Sequence, residues 1–131
     1  MDKIRELLSN DMYARHSGIE LLEISKGSAK VAMTVHKEHL NGVGIVHGGA
    51  IFTLADFAFA AASNSHGTVA VAINANISFM KAAALNATLT AEAKEVSINP
   101  KLATYQVNVT DDAGDLVASF QGMVYRKRDQ I

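Results

Sequence analysis

The chain has 131 residues, 12 basic and 13 acidic side chains and a formal charge of -1, so it lacks the broad cationic field a nucleic-acid binder needs. It contains no cysteine, which excludes disulfide frameworks, thiolate metal sites and a cysteine nucleophile. Hydrophobic residues make up 49% of the chain, yet 21 of them are alanine, so the apolar mass is built from small units that favour close backbone approach. One domain spanning residues 1–131 is expected from the length.

The first ten residues (MDKIRELLSN) mix charged and apolar groups without the continuous apolar core of a secretory signal. They predict a short amphipathic helix and a cytoplasmic protein. Ile19–Ile24 and Ala29–Val35 flank Ser25-Lys26-Gly27-Ser28 and predict a hairpin. A glycine-bearing loop, His39 to Gly44, leads into His47-Gly48-Gly49 and an alanine-rich stretch that predicts a helix over 48–62, apolar nearly all round and hence buried. Strands are expected over Thr68–Phe79, Ala87–Ala93, Ala103–Val109 and Leu116–Tyr125, with corners at Ile98-Asn99-Pro100-Lys101 and Asp111–Asp115. Ser63 to Gly67 interrupt the uncharged tract 57–80 with polar groups that lipid would leave unsatisfied, so no membrane span is expected. The order of elements fits an α+β fold in which five to six antiparallel strands wrap one long central helix.

Over the 42 residues from His39 to Met80, Asp56 is the only formally charged side chain. An ionised carboxylate costs several kcal/mol to bury unpaired, and Phe52, Thr53 and Ala60, one turn away, offer no ionic partner. Asp56 is read either as a structural carboxylate satisfied by hydrogen bonds or as a base or nucleophile in a cleft, with its pKa raised by its surroundings. Gly48 and Gly49 clear side chains from the helix N-terminus, where unpaired N–H groups could receive a substrate oxygen, although a tight turn would also call for glycine. Gly48 and Asp56 stand eight positions apart, about 12 Å along one helix. If both act on one carbonyl, two copies with antiparallel central helices must share the site, which predicts a functional homodimer.

His47 and Asn41 could each donate to a bound carbonyl or merely pin the loop. His36 and His39 lack a third ligand at a convincing spacing, so no metal is expected, and His16 and His66 read as loop or surface residues. Serine-hydrolase, nucleotide-triphosphatase and dinucleotide motifs are absent. Lys81, Lys94, Lys101 and Arg126-Lys127-Arg128 are read as solvated strand ends or, for Lys81 first, as contacts to a ligand phosphate.

The run Asn41 to Asp56 (NGVGIVHGGAIFTLAD) resembles the signature of hotdog-fold acyl-CoA thioesterases of the phenylacetic-acid-degradation (PaaI-like) type. The similarity continues through Ala70 to Lys81, with Ala82 where proline is usual and Asn76 where an acidic residue is frequent. The resemblance implies a hotdog subunit, a dimer with a continuous sheet and often a dimer of dimers, hydrolysing acyl-CoA without a cofactor. It assigns Asp56 to activation of water or attack on the thioester, the Gly48 N–H to polarisation of the carbonyl, and Asn41 and His47 to support beside it. Gly49, Asn74 and Lys81 are carried as substrate-binding positions. An acyl-CoA sensing module and a hydroxyacyl-thioester dehydratase are the alternatives; the first would act through a partner chain, and the second calls for a paired histidine and carboxylate. Phe52, Phe57, Phe59 and Met80 line either an acyl pocket or the core.

Overall fold

The computed structural model describes all residues, 1–131. Its elements are α1 (Asp2–Ser9), α2 (Met12–His16), β1 (Glu20–Ser25), β2 (Ser28–Thr34), α3 (Gly48–Asn64), β3 (Thr68–Phe79), β4 (Thr88–Ile98), β5 (Leu102–Thr110) and β6 (Leu116–Gln130). The six strands form one antiparallel sheet in the order β1-β2-β4-β5-β6-β3, and α3 packs along its concave face. This is the sheet around one central helix expected from the order of elements, and the hotdog subunit that the resemblance implies.

Alternation decides which side chains meet α3. Ala91, Ala93, Tyr105, Val107, Phe120 and Val124 point inward from β4, β5 and β6 and are essentially inaccessible. Small residues let sheet and helix come together: at Gly122 an added Cβ would lie 2.6 Å from the ring of Phe59, which is 1% exposed. That ring is held by Tyr105 and Phe120, with centroids 5.9 Å and 5.4 Å away.

Several boundaries differ from expectation for local physical reasons. The N-terminal region makes two helices, because Asp11 caps a new one by accepting the Ala14 N–H at 2.9 Å. Helix α3 continues past 62 to Asn64, whose side chain donates to Ala60 O and accepts the Ala70 N–H, joining the helix end to β3. Strand β4 runs on to Ile98 through a bulge between Glu95 and Ser97, and β6 continues to Gln130 alongside β3. Helix α3 is not covered all round: Gly49, Thr53, Asp56 and Ala60, on one helical stripe, stay partly or fully accessible. Phe57 and Phe59 are core residues, Phe52 is partly accessible with its ring 5.5 Å from Phe120, and Met80 is exposed. No helix is long and apolar enough to cross a membrane.

Candidate active site

His47 is the N-cap of α3, with extended φ -62° and ψ 135°, and its Nδ1 accepts the Gly49 N–H at 2.8 Å. An accepting Nδ1 carries no proton, so in the neutral ring the proton sits on Nε2, which makes no hydrogen bond within the chain and can donate outward. The His47 carbonyl accepts the N–H groups of Ala50 and Ile51 at 2.9 and 3.3 Å. Gly48 N–H is left over: it has no acceptor and heads the helix dipole. Gly48 lies under the ring of Phe79, where an added Cβ would sit 3.1 Å from Cζ.

The loop before α3 is a small hairpin. His47 N–H donates to His39 O at 2.7 Å, Leu40 and Val46 form a bridge, and Asn41 N–H donates to Ile45 O at 2.8 Å. Asn41 Oδ1 accepts the N–H groups of Val43 and Ile45 at 3.0 and 3.2 Å, so the side chain pins the loop while its Nδ2 remains free to donate. A cavity of about 380 Å³ opens beside this loop, walled by Tyr13, His16, His39, His47, Gly49 and Thr53 among others.

Asp56 lies two turns further along α3, half-buried, with no hydrogen bond or ion pair to its carboxylate in the chain. Burial pushes its pKa up, and the carboxylate of Asp11 on the N-terminal segment pushes it the same way. Asp11 was invisible as a contributor in the sequence, since it lies 45 positions away in another element.

Two further expected positions, Asn74 and Lys81, are set by β3 and the contacts at its end. Asn74 pairs with Met123 on β6, and because Gly122 faces Phe59, Met123 and Asn74 point to the other side of the sheet. The cause is the irregularity between Ala72 and Asn74: one extra residue, Ile73, reverses the alternation that would have turned Asn74 inward with Ala72. Asn74 is therefore not brought to Gly48 or Asp56 within the subunit. Lys81 donates to Asp111 Oδ2 at 2.6 Å and Asp115 Oδ2 at 2.7 Å, and these bonds raise its pKa. Its charge is met by two carboxylates of the β5–β6 turn.

A cluster with no local signal in the sequence lies beyond the C-terminal end of α3. Glu95 Oε1 receives Tyr105 Oη–H at 2.6 Å and lies 2.7 Å from His66 Nε2. Burial works to raise the Glu95 carboxyl, but the bonds from Tyr105 and His66, helped by the charges of His66 and Arg126, hold it below its ordinary value. Nowhere do three or more histidine, aspartate or glutamate side chains converge in a way that could hold a metal.

A free N–H at a helix start and an unpartnered carboxylate thus stand on the same helix. Residues 43–118 match the thioesterase superfamily model. The chain belongs to the thioesterase superfamily. It is a thioester hydrolase, and its relatives agree in extent as well as in kind. The acyl-coenzyme A thioesterase PaaI of Escherichia coli is 37% identical over 120 residues, covering 92% of this chain and 86% of the relative. The E. coli PaaI structure superposes with a TM-score of 0.96 over 99% of this chain and 94% of its own. A protein of Archaeoglobus fulgidus described as an esterase is 50% identical over 130 residues, 99% of this chain and 79% of that one. A Streptococcus mutans protein solved bound to acetyl CoA superposes with a TM-score of 0.83 at 27% identity, over 86% of this chain and 91% of its own.

Proposed function

We propose that the protein hydrolyses an acyl-CoA, of aryl or short to medium aliphatic acyl group, to the free acid and CoA, in an active site completed by two copies of the chain. The observation that carries this reading is the pairing on α3 of an unsatisfied Gly48 N–H with an unpartnered Asp56 carboxylate eight residues on. About 12 Å separates them along the helix, so one thioester cannot reach both in one subunit. Antiparallel packing of two α3 helices sets Gly48 of one copy against Asp56 of the other.

The accessible stripe Gly49–Thr53–Asp56–Ala60 and the open edge of β3 favour such a pair. Strand β3 is twelve residues long and exposes Val71, Ile73 and Phe79 beside a row of unpaired backbone groups. Pairing of two β3 edges makes one continuous sheet.

In this site Asp56 takes a proton from water as the water oxygen attacks the thioester carbon. Its raised pKa suits it to that task, because a more basic carboxylate accepts the proton more readily. The carbonyl oxygen becomes an oxyanion facing the partner copy's free helix N-terminus. Its Gly48 N–H stabilises that charge, with His47 Nε2–H and Asn41 Nδ2–H as neighbouring donors. The carbon–sulfur bond then breaks, and the proton held by Asp56 passes to the CoA thiolate. Asp56→Asn tests the assignment: release of CoA thiol from a panel of acyl-CoAs should fall by at least about 10²-fold. A folded variant with near-normal turnover contradicts it. Hydrolysis in labelled water under single turnover separates base from nucleophile, because label appearing in the Asp56 carboxylate would refute the base role.

A further inference from the structure

The hairpin that carries Asn41 and His47 is anchored at its base by one buried side chain. His39 is 9% exposed. Its Nδ1 accepts the His36 N–H at 2.8 Å, its Nε2 lies 2.8 Å from Ser17 O, and its own carbonyl accepts the His47 N–H at 2.7 Å. One residue thus ties together the chain leaving β2, the end of α2 and the first residue of the α3 cap.

These partners fix the state of the ring. A backbone N–H can only donate and a carbonyl can only accept, so Nδ1 carries the lone pair and Nε2 the proton. A proton on Nδ1 would face the His36 N–H donor directly, leaving two buried donors opposed. The His36 ring stacks on His39 with centroids 5.8 Å apart, so charge on both rings would add repulsion. The other titratable side chains facing this region are Tyr13 and His16 from α2, Glu38 beside His39, and His47 from α3.

We infer that His39 is a positioning residue of the thioesterase site: as a neutral imidazole protonated on Nε2, it sets the placement of His47 and, through it, the direction of the Gly48 N–H. Loss of either ring bond releases the base of the hairpin and misdirects that donor. The inference rests on the thioesterase reading above and adds to it a positioning element remote from Asp56.

Two variants separate the bonds. His39→Asn offers an acceptor to the His36 N–H but does not reach Ser17, and His39→Gln reaches Ser17 O but gives up the acceptor. Because a misplacement of about 1 Å can cost about 10²-fold in rate, each should lower kcat for thiol release by about 10- to 100-fold with KM changed far less. Nitrogen-15 NMR of the unaltered protein supplies a readout that does not depend on a variant folding. It should find the neutral His39 ring as the Nε2–H tautomer; in both folded variants the Gly48 amide should be shifted relative to the parent. An Nδ1–H tautomer of His39, or a Gly48 amide unmoved in both variants, overturns the inference. So does a kcat within about threefold of the parent in both folded variants. Full activity in the His39 variants beside a dead Asp56→Asn variant would refute the role of His39 alone, whereas an active Asp56→Asn variant would refute the site itself.

Discussion

Gly48→Pro removes one hydrogen-bond donor and almost nothing else. Position 48 is the first residue of α3, where proline is well tolerated because its missing N–H would have no helical acceptor. Gly48 does not have a positive φ, and His47 before it, at φ -62° and ψ 135°, already has the extended conformation that a following proline requires. The one crowded contact is Phe79, whose Cζ would lie 3.1 Å from a new Cβ; at 53% exposure its ring can swing aside. Stability should hold or rise, by about 0.4–1 kcal/mol from reduced freedom of the unfolded chain, or roughly 2–5 °C in Tm. Loss of one oxyanion donor costs about 10²–10³ in kcat, about 2.7–4 kcal/mol. Gly48→Ala makes the same contact with Phe79 while keeping the N–H, and is the control. Thiol-release kinetics and thermal melts of both proteins form the assay. A proline variant as active as the alanine variant would refute the role given to this N–H.

Other expectations concern packing and charge. Gly122→Ala forces the Phe59 ring, fixed by Tyr105 and Phe120, to retreat by roughly 1 Å from a Cβ 2.6 Å away, costing about 1–3 kcal/mol. Phe59→Leu in the same chain should relieve part of that cost, a coupling visible in a double-mutant cycle of denaturant melts. Asp56→Asn should raise Tm at neutral pH. Its folded pKa lies above the unfolded value, so the folded state binds the proton more tightly and stability falls as pH rises between the two values; the gain from the amide should vanish in acid. Asp11→Asn keeps an acceptor for the α2 cap but removes the charge acting on Asp56, and should move the acid limb of kcat/KM to lower pH. Tyr105→Phe strips a partly buried hydrogen bond from Glu95 and should destabilise by about 1 kcal/mol at neutral pH. Glu95 has a lowered folded pKa, so its contribution is present above the unfolded carboxylate range and lost as pH falls through the folded value.

The parts of the molecule legible in the sequence are those whose signal is local. His47-Gly48-Gly49 marks the start of α3 to the residue, and the alternation of Ala103, Tyr105, Val107 and Val109 identifies the inward face of β5. Asp56 stands out by being the lone charge in a long uncharged tract. The rest depends on partners distant in the chain. Lys81 meets carboxylates 30 and 34 positions away, and Glu95 is joined to His66 across 29. Asn74 turns outward because of a single bulged residue, which hydrophobic alternation does not report. His39 falls between these cases: its spacing from His36 invites thoughts of a metal, but both ring nitrogens are committed to backbone groups.

The central claim, that one active site draws on two chains, is tested most directly by a heterodimer of an Asp56→Asn subunit and a Gly48→Pro subunit, purified through two different tags. Each homodimer should be inactive or nearly so. In the heterodimer, the Gly48→Pro subunit supplies an intact Asp56 and the Asp56→Asn subunit an intact Gly48, so one of two sites is restored and thiol release returns to about half that of the parent. Activity no higher than that of the two inactive homodimers would show that both groups serve within a single subunit, and would contradict the account.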